Sequence, residues 1–277
     1  MSTLFKFLRF ARTGCKLSRA ASDAPSAARL EPLEGRVLMT AAPNVAAPHS
    51  TVASSTLGEW SAQWWQWALA QPAGQNPLTD TTGASACVGQ DGGVFFLGGA
   101  FSTEPVVRTI TMPMRTKLFF PLINVFYLND LPEDPPLEQQ REILADFIES
   151  VSALHATVDG MAVGGDLFSH REVSPQVDAT LPDDNVLNHA PGSFPVVSDG
   201  YWLMLNPLSK GEHTITFGGS SPYFSQDLTY HVEVVPKGQY RKEPCPAPAE
   251  AGAAANRGPT GGRAADDVLE SGCGCSL

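Results

Sequence analysis

The stretch that decides the fold is Asp227-Leu228-Thr229-Tyr230-His231-Val232-Glu233-Val234-Val235. Apolar and polar side chains alternate along it, which is the period of a β-strand with one buried face. Two further strand signals precede it, a continuous apolar run at residues 201–205 and an alternating run at residues 213–217, and tight turns separate the three. Short strands joined by tight turns are typical of an antiparallel sandwich. We therefore expect these strands to form the closing edge of such a sandwich.

Strand signals continue upstream. Residues 117–127 contain Leu118-Phe119-Phe120-Pro121-Leu122-Ile123, a nearly continuous apolar run. Such a run predicts a strand covered on both faces, with Pro121 at a bend or an edge. Further predictions are strands at 94–99, 106–112 and 166–173, a hairpin at 156–163 that turns at Asp159-Gly160, and a polar loop at 174–193.

A tryptophan-rich helix is expected at the start of the domain. Trp60, Trp64 and Trp67 have helical spacing within residues 57–71, and Pro72 and Gly74 end the segment. Such a stripe either stacks on sugar rings or belongs to the core. Because each ring removes a large apolar area from water, the core is favoured, with the helix sealing one end of the sandwich.

A second, amphipathic helix is predicted for residues 132–154. Pro135-Pro136 suits a first helical turn. The expected inner face consists of Leu137, Gln140, Leu144, Phe147, Ile148 and Val151. The predicted fold is therefore mainly β. It is an antiparallel, jelly-roll-like β-sandwich with an N-terminal Trp-rich helix and one inserted amphipathic helix.

Charge is distributed unevenly along the 277 residues. Residues 1–40 hold seven of the 18 Lys and Arg and three of the 29 Asp and Glu, which leaves 11 basic against 26 acidic residues and a net charge of −15 in the remainder. A body this acidic repels phosphate backbones, so nucleic acid is excluded as an expected partner. No apolar run reaches the ~18 residues of a bilayer span, so no transmembrane segment is predicted.

Composition divides the chain into four parts. Residues 1–41 form a basic leader, in which charges interrupt the apolar residues, so it resembles an amphipathic helix touching a membrane surface more than a secretory signal. Residues 42–56 are an Ala/Pro/Ser/Thr linker, and residues 57–236 are the β-sandwich domain. Residues 237–277 are expected to be a disordered Pro/Ala/Gly-rich tail that ends in a C-x-C motif.

The leader ends in Leu33-Glu34-Gly35-Arg36-Val37-Leu38-Met39. This segment resembles LEPR-XLL, an N-terminal sorting motif of exported and surface proteins in planctomycete-type bacteria. It departs from the motif at Gly35, where Pro is usual, and at Met39, where Leu is usual. The resemblance implies an extracytoplasmic protein, whether periplasmic, cell-surface or secreted. The alternative is an ordinary loop or short helical turn.

Cysteine use is compatible with export. Cys87 is the one cysteine inside the predicted domain, and a disulfide from Cys87 to Cys245 is a candidate bridge. The tail thiols Cys273 and Cys275 are compatible with a soft metal, an anchor or a redox role, but two thiols alone make a poor metal site. The sequence predicts no metal site and no cofactor.

Candidate ligand-binding residues lie in a polar loop at 76–93 and at a later turn. Asp80, Thr82 and Gln90 carry oxygens suited to a hard cation, but the spacing of a calcium loop is absent. We therefore favour side chains that bond loop amides. Asp199, beside Gly200, is the fourth candidate.

Nucleophilic and metal chemistry find little support. The sequence lacks H-x-H, H-E-x-x-H, C-x-x-C and G-x-S-x-G motifs. By alternation His213 and His231 point to opposite faces of neighbouring strands. Cys87 with His170 or His189 is a conceivable nucleophilic pair, but a single cysteine in an exported domain is more often structural or bridged.

A second resemblance covers residues 57–235. Trp64-Trp65-Gln66-Trp67, Asn76-Pro77, Asp80-Thr81-Thr82-Gly83 and Leu118-Phe119-Phe120-Pro121-Leu122-Ile123-Asn124 resemble a bacterial domain family without an assigned activity. The same holds for Asp199-Gly200-Tyr201-Trp202 and Gly211-Glu212-His213-Thr214-Ile215. The family offers no catalytic residue to carry over.

Two classes of function remain. The first is a non-catalytic binding or structural module at the cell surface, which contacts a glycan, a protein or the envelope through an aromatic or acidic patch. The second is an extracytoplasmic hydrolase that uses paired carboxylates. It requires two of Asp80, Asp166 and Asp199 to lie about 5–10 Å apart in a cleft.

Overall fold

Two five-stranded sheets form the body of the protein in a computed structural model that describes residues 43–90 and 92–240. The helices are α1 Leu57–Leu69 and α2 Leu137–Glu149, with 3-10 turns at Ala73–Gln75 and Leu167–His170. The strands are β1 Thr51–Val52, β2 Ser55–Thr56, β3 Val94–Phe96, β4 Val106–Pro113, β5 Lys117–Leu128, β6 Ala153–Val158, β7 Met161–Ala162, β8 Arg171–Val173, β9 Val177–Leu181, β10 Gly192–Leu205, β11 Gly211–Ser220 and β12 Ser225–Val235.

The first sheet has the order β3-β5-β10-β8, with β9 also paired to β10, and the second has the order β4-β12-β11-β6-β7. All described pairings in these sheets are antiparallel except β3 with β5 and β4 with β12. One apolar core joins the inner faces of the two sheets. The predicted mainly β, sandwich-like fold is confirmed.

Strand β5 is buried on both faces, as its apolar run predicted. Leu118 and Phe120 contribute to the core between the sheets, whereas Phe119 packs into the second cluster on the other side. The register with β10 shifts so that Trp202 faces Pro121 and Tyr201 faces Ile123. One residue of β5 between these two pairs therefore has no partner on β10. This extra residue forms a β-bulge, which bends the strand and explains how a central strand accommodates a proline.

Helix α1 lies on the outer face of the first sheet. Trp64, Trp65 and Trp67 are buried, and Trp64 meets Trp202 of β10 with ring centroids 5.3 Å apart. The expectation of a core stripe is confirmed for Trp64 and Trp67, whereas Trp60 is half-buried and packs against the same cluster. The helix covers a face of the sandwich and not an end. A capping box between Thr56 and Glu59 fixes where the helix begins.

Helix α2 is shorter than predicted but uses the expected face. Gln140, Leu144 and Ile148 are buried. The amide of Gln140 donates to Asn129 Oδ1 at 3.1 Å and to the Pro135 carbonyl at 2.7 Å. These bonds explain why a polar residue interrupts the apolar face.

Two local predictions are wrong. Residues 174–193 are not all loop, because Val177–Leu181 pairs with β10 and buries Ala179 and Leu181. Residues 166–173 begin as a 3-10 turn, in which the Asp166 side chain accepts a hydrogen bond from the Phe168 amide, and only Arg171–Val173 is strand.

The segment predicted as a linker contacts the fold where it is described. Val45 bridges to Leu205 at the end of β10, and the Asn206 amide donates to the Asn44 carbonyl at 2.9 Å. The LEPR-XLL-like motif, the remainder of the leader, and the C-x-C tail lie outside the described residues.

Candidate functional site

The predicted ligand residues Asp80 and Thr82 are used to shape their own loop. The Asp80 carboxylate accepts hydrogen bonds from the Thr82, Gly83 and Ser85 amides at 2.8, 3.0 and 2.8 Å. The Thr82 hydroxyl donates to it at 2.8 Å. Burial raises the pKa of Asp80, but these bonds outweigh it, so the pKa is lowered overall.

Gln90 also serves the loop. Its amide nitrogen donates to the Ala86 and Phe96 carbonyls at 2.9 and 2.8 Å, and its oxygen accepts from the Phe96 amide at 3.0 Å. Cys87, in the same loop, is disulfide-bonded, so it is not a free nucleophile. Cys245 lies outside the part of the chain that the structure describes, so the pairing of Cys87 with Cys245 stays a prediction.

Asp199 lies on the inner side of β10, in a different part of the sandwich. Arg171 donates two hydrogen bonds to its carboxylate, with Nε 3.1 Å from Oδ1 and Nη2 2.8 Å from Oδ2. These bonds raise the pKa of Arg171. Asp166 accepts from the Phe168 amide at 3.0 Å. The structure brings Asp80 and Thr82 together but holds Asp80, Asp166 and Asp199 by separate partners, a geometry typical of structural carboxylates.

The outer face of the second sheet is an accessible polar surface. We call it the polar face. Strand pairing places its residues side by side, and they are exposed or half-buried. They are Val107, Thr109, Thr111, His155, Thr157, Glu212, Thr214, Thr216, Asp227, Thr229, His231 and Glu233. The five strands of this sheet contain a single Lys or Arg, Arg108, and its side chain is buried on the inner side. The polar face is therefore acidic and rich in threonine.

A pocket of about 550 Å³ opens on the polar face. This volume lies within the usual range of about 300–1,000 Å³ for small-molecule sites. The lining residues are Thr109, Asp159, Glu212, His213, Thr214, His231, Val232 and Glu233. Glu212 and Glu233 are directly opposite each other across β11 and β12. Like charges in this position destabilise a sheet.

His213 connects the pocket to two loops. Its Nδ1 lies 2.7 Å from Asp159 Oδ2, and its Nε2 lies 3.1 Å from Ser209 Oγ and 3.0 Å from the Ser209 carbonyl. The Thr214 amide donates to the other Asp159 oxygen at 2.9 Å and orients the carboxylate. Asp159 and Gly160 both have positive φ, at 52° and 75°, which confirms the predicted hairpin turn.

The protonation of His213 decides what this arrangement can do. When the ring is neutral and carries its proton on Nδ1, Nδ1 donates a hydrogen bond to Asp159. Nε2 then accepts a hydrogen bond from the Ser209 hydroxyl. This is the order of groups in a nucleophilic serine site. When the ring is doubly protonated, Nε2 donates to the Ser209 carbonyl instead. His213 then links the two loops through its hydrogen bonds to Asp159 and Ser209.

Sequence reasoning missed the group of Asp159, Ser209 and His213. The register places His213 and His231 on opposite faces, as predicted, since His213 pairs with Val232 and His231 pairs with Thr214. The missing information was the pairing of β6 with β11, which brings Asp159 to His213 across 54 residues. The Asp159-Gly160 turn was the one available signal.

Within residues 43–90 and 92–240, no three His, Cys, Asp or Glu side chains are grouped to hold a metal ion. Over the same residues, neither helix has the length and hydropathy needed to cross a bilayer.

Comparisons with known proteins identify no family. The sequence matches no protein-family model. No curated protein matches it.

Some solved structures match about half of this chain, with TM-scores of 0.20 or less. The cysteine protease inhibitor EhICP2 from Entamoeba histolytica is 16% identical, with 46% of this chain and 86% of that chain covered and a TM-score of 0.19. PbICP-C, solved in complex with falcipain-2, is 12% identical, with 52% and 100% covered and a TM-score of 0.20. Amebosin is 12% identical, with 47% and 96% covered and a TM-score of 0.16. Likenesses this distant carry no argument about function.

Proposed function

We propose that this chain is an exported or cell-surface binding module that contacts its partner through the polar face. The observation that carries the proposal is the pocket of about 550 Å³ with Glu212 and Glu233 side by side in its wall. Carboxylates and threonine hydroxyls offer many acceptors and donors to a hydroxyl-rich partner. A glycan or another envelope component fits this chemistry, and the acidity of the body argues against nucleic acid.

Export is supported by two independent features. Leu33–Met39 resembles LEPR-XLL. Cys87 is disulfide-bonded, and structural disulfides form and persist mainly in oxidising compartments. Fractionation of the native bacterium with N-terminal sequencing of the mature protein tests this part. Recovery in the envelope or medium is expected, and an intact Met1 on cytoplasmic material would overturn it.

Binding is tested by cosedimentation of the full chain with isolated envelope. The double variant Glu212→Gln, Glu233→Gln keeps the size of both side chains but removes their charge. Since hydrogen bonds to charged groups contribute roughly 1.5 kcal/mol or more, we expect affinity to fall about tenfold or further. The matched control is Glu138→Gln with Glu142→Gln on α2, where both side chains are exposed. Equal binding by both double variants would exclude the polar face.

A second candidate function is hydrolysis, favoured by the contacts of His213 with Asp159 and Ser209. In this mechanism Ser209 Oγ attacks an ester carbonyl while His213 Nε2 takes its proton. The proton then passes to the leaving alcohol, and water releases the acid from the serine. This route replaces the paired-carboxylate version, since its three acids are held by separate partners.

Serine labelling tests the second candidate. A fluorophosphonate probe is expected to modify wild-type protein and to leave Ser209→Ala unmodified. Ser193→Ala removes another exposed hydroxyl and serves as the control. Absence of labelling in the wild type, or equal labelling of Ser209→Ala, would leave binding as the sole proposed function.

A further inference from the structure

A small cavity lies where α1, the chain after β3 and the middle of β5 meet. Its volume is about 20 Å³. The walls include Trp65 of α1, Gly99 and Ala100 of the loop, and Asn124 and Phe126 of β5. The cavity therefore lies just after the bulge at which β5 changes register.

Two residues that line this cavity carry a buried donor with no acceptor among the described residues. The donors are Nε1 of Trp65, a residue that is only 2% exposed, and Nδ2 of Asn124. An N–H group removed from water without a hydrogen bond costs stability, and native proteins avoid this. Finding two such groups on residues that line one cavity points to a shared acceptor.

The neighbouring polar groups are satisfied. Trp64 Nε1 donates to the Leu97 carbonyl at 2.9 Å. Gln226 donates to the Leu122 carbonyl at 2.7 Å and accepts from the Ala100 amide at 3.3 Å. The unpartnered donors are thus specific to Trp65 and Asn124 and are not a general property of this wall.

We propose that the cavity binds one water molecule whose oxygen accepts hydrogen bonds from Trp65 Nε1 and Asn124 Nδ2. The volume is above the roughly 10–15 Å³ that one water requires and far below that of an organic ligand. Carbonyl groups of the wall, such as those at Gly99 and Ala100, are the class of acceptor that the water hydrogens need. The water links the tryptophan helix to the first sheet at the bulge of β5.

Nuclear magnetic resonance of the uniformly 15N-labelled full chain tests the site. Trp65→Phe and Trp202→Phe assign the two indole N–H signals. We expect a rotating-frame Overhauser cross-peak between water and the Trp65 indole proton. Trp202 is the internal control, because its Nε1 is also buried without a described acceptor but its side chain does not line the cavity.

A filling variant provides the second measurement. Asn124→Leu replaces the amide by an apolar group of similar size, so the Trp65 cross-peak should disappear if the protein stays folded. Persistence of the cross-peak in folded Asn124→Leu would overturn the proposal. So would its absence in the wild type, or equal cross-peaks at Trp65 and Trp202, and neither of these outcomes depends on the variant folding.

Discussion

The outer faces of the two sheets differ in what they contact. On the first sheet, Phe119, Trp202 and Met204 point outward and are fully buried beneath α1. On the second sheet, the outward residues at comparable positions are polar, and Glu212 and Glu233 remain exposed. One face contributes to the core, whereas the outward residues of the other are exposed or half-buried.

This contrast explains why the aromatic residues are so unevenly placed. Trp64 touches Trp65, Trp67 and Trp202, with ring centroids 5.0, 5.9 and 5.3 Å apart. Edge-to-face contacts of this kind add stability beyond the area they bury. The covered face should therefore be sensitive to substitution, and the polar face should be tolerant.

The largest expected effect comes from the covered face. Trp64→Ala deletes a fully buried side chain and should lower the free energy of unfolding by about 3–5 kcal/mol. Guanidinium denaturation measures the change. Thr229→Ala on the polar face is the comparison and should stay within about 0.5 kcal/mol of wild type. Equal losses in the two variants would remove the contrast.

The inner side of the second sheet should be nearly as sensitive. Arg108 is 1% exposed and donates to the carbonyls of Asp80, Gly98 and Gly99 and to the Tyr230 hydroxyl. Arg108→Met removes this donor from the Asp80 and Gly99 carbonyls and from the Tyr230 hydroxyl, whereas the Gly98 carbonyl still accepts from Tyr230. A loss of about 1–3 kcal/mol or more is expected in the same denaturation assay. A loss within the error of the assay would mean that water replaces the guanidinium.

Low pH should destabilise the loop that contains Asp80 and contacts β4. The folded pKa of Asp80 lies below its ordinary value of 3.8, so its contribution is complete above that value and is lost as pH falls through the folded pKa. Stability measured between pH 5 and pH 2 should fall less steeply in Asp80→Asn than in wild type. Identical slopes would contradict this role of Asp80.

The smallest effect is expected on the polar face and has the opposite sign. Glu212→Gln removes one of two like charges that face each other across β11 and β12. Stability should rise by roughly 0.2–1 kcal/mol, with the gain reduced by salt. A loss of stability would show that Glu212 is paired in solution and would weaken the case for an open binding surface.

Much of the fold could be predicted because its signals are local. The apolar run at Leu118–Ile123, the tryptophan spacing in α1 and the Asp159-Gly160 turn each report on a few neighbouring residues. Strand β9 was missed although Val177–Leu181 alternates apolar and polar residues, because the alternation is only five residues long and lies between polar, proline-containing segments. Its position depends on pairing with β10, which is a property of the assembled sheet.

The candidate site was harder to predict than the fold. Glu212 and Glu233 meet through the register of two strands, and Asp159 reaches His213 through the pairing of β6 with β11. Asp80, Gln90 and Asp199 were predicted as candidate ligand-binding residues because they are polar residues in glycine-rich or turn sequences. Those same features suit side chains that bond the backbone or a nearby arginine, as their contacts in the structure do.

Carbodiimide labelling of carboxylates tests the division between the two faces most directly. The full chain is labelled with and without isolated envelope, and modification is read at Glu212 and Glu233 on the polar face and at Glu142 on α2. Envelope should protect Glu212 and Glu233 and leave Glu142 unchanged. Protection confined to Glu142, or equal labelling at all three sites with envelope bound, would contradict the assignment of the polar face as the binding surface.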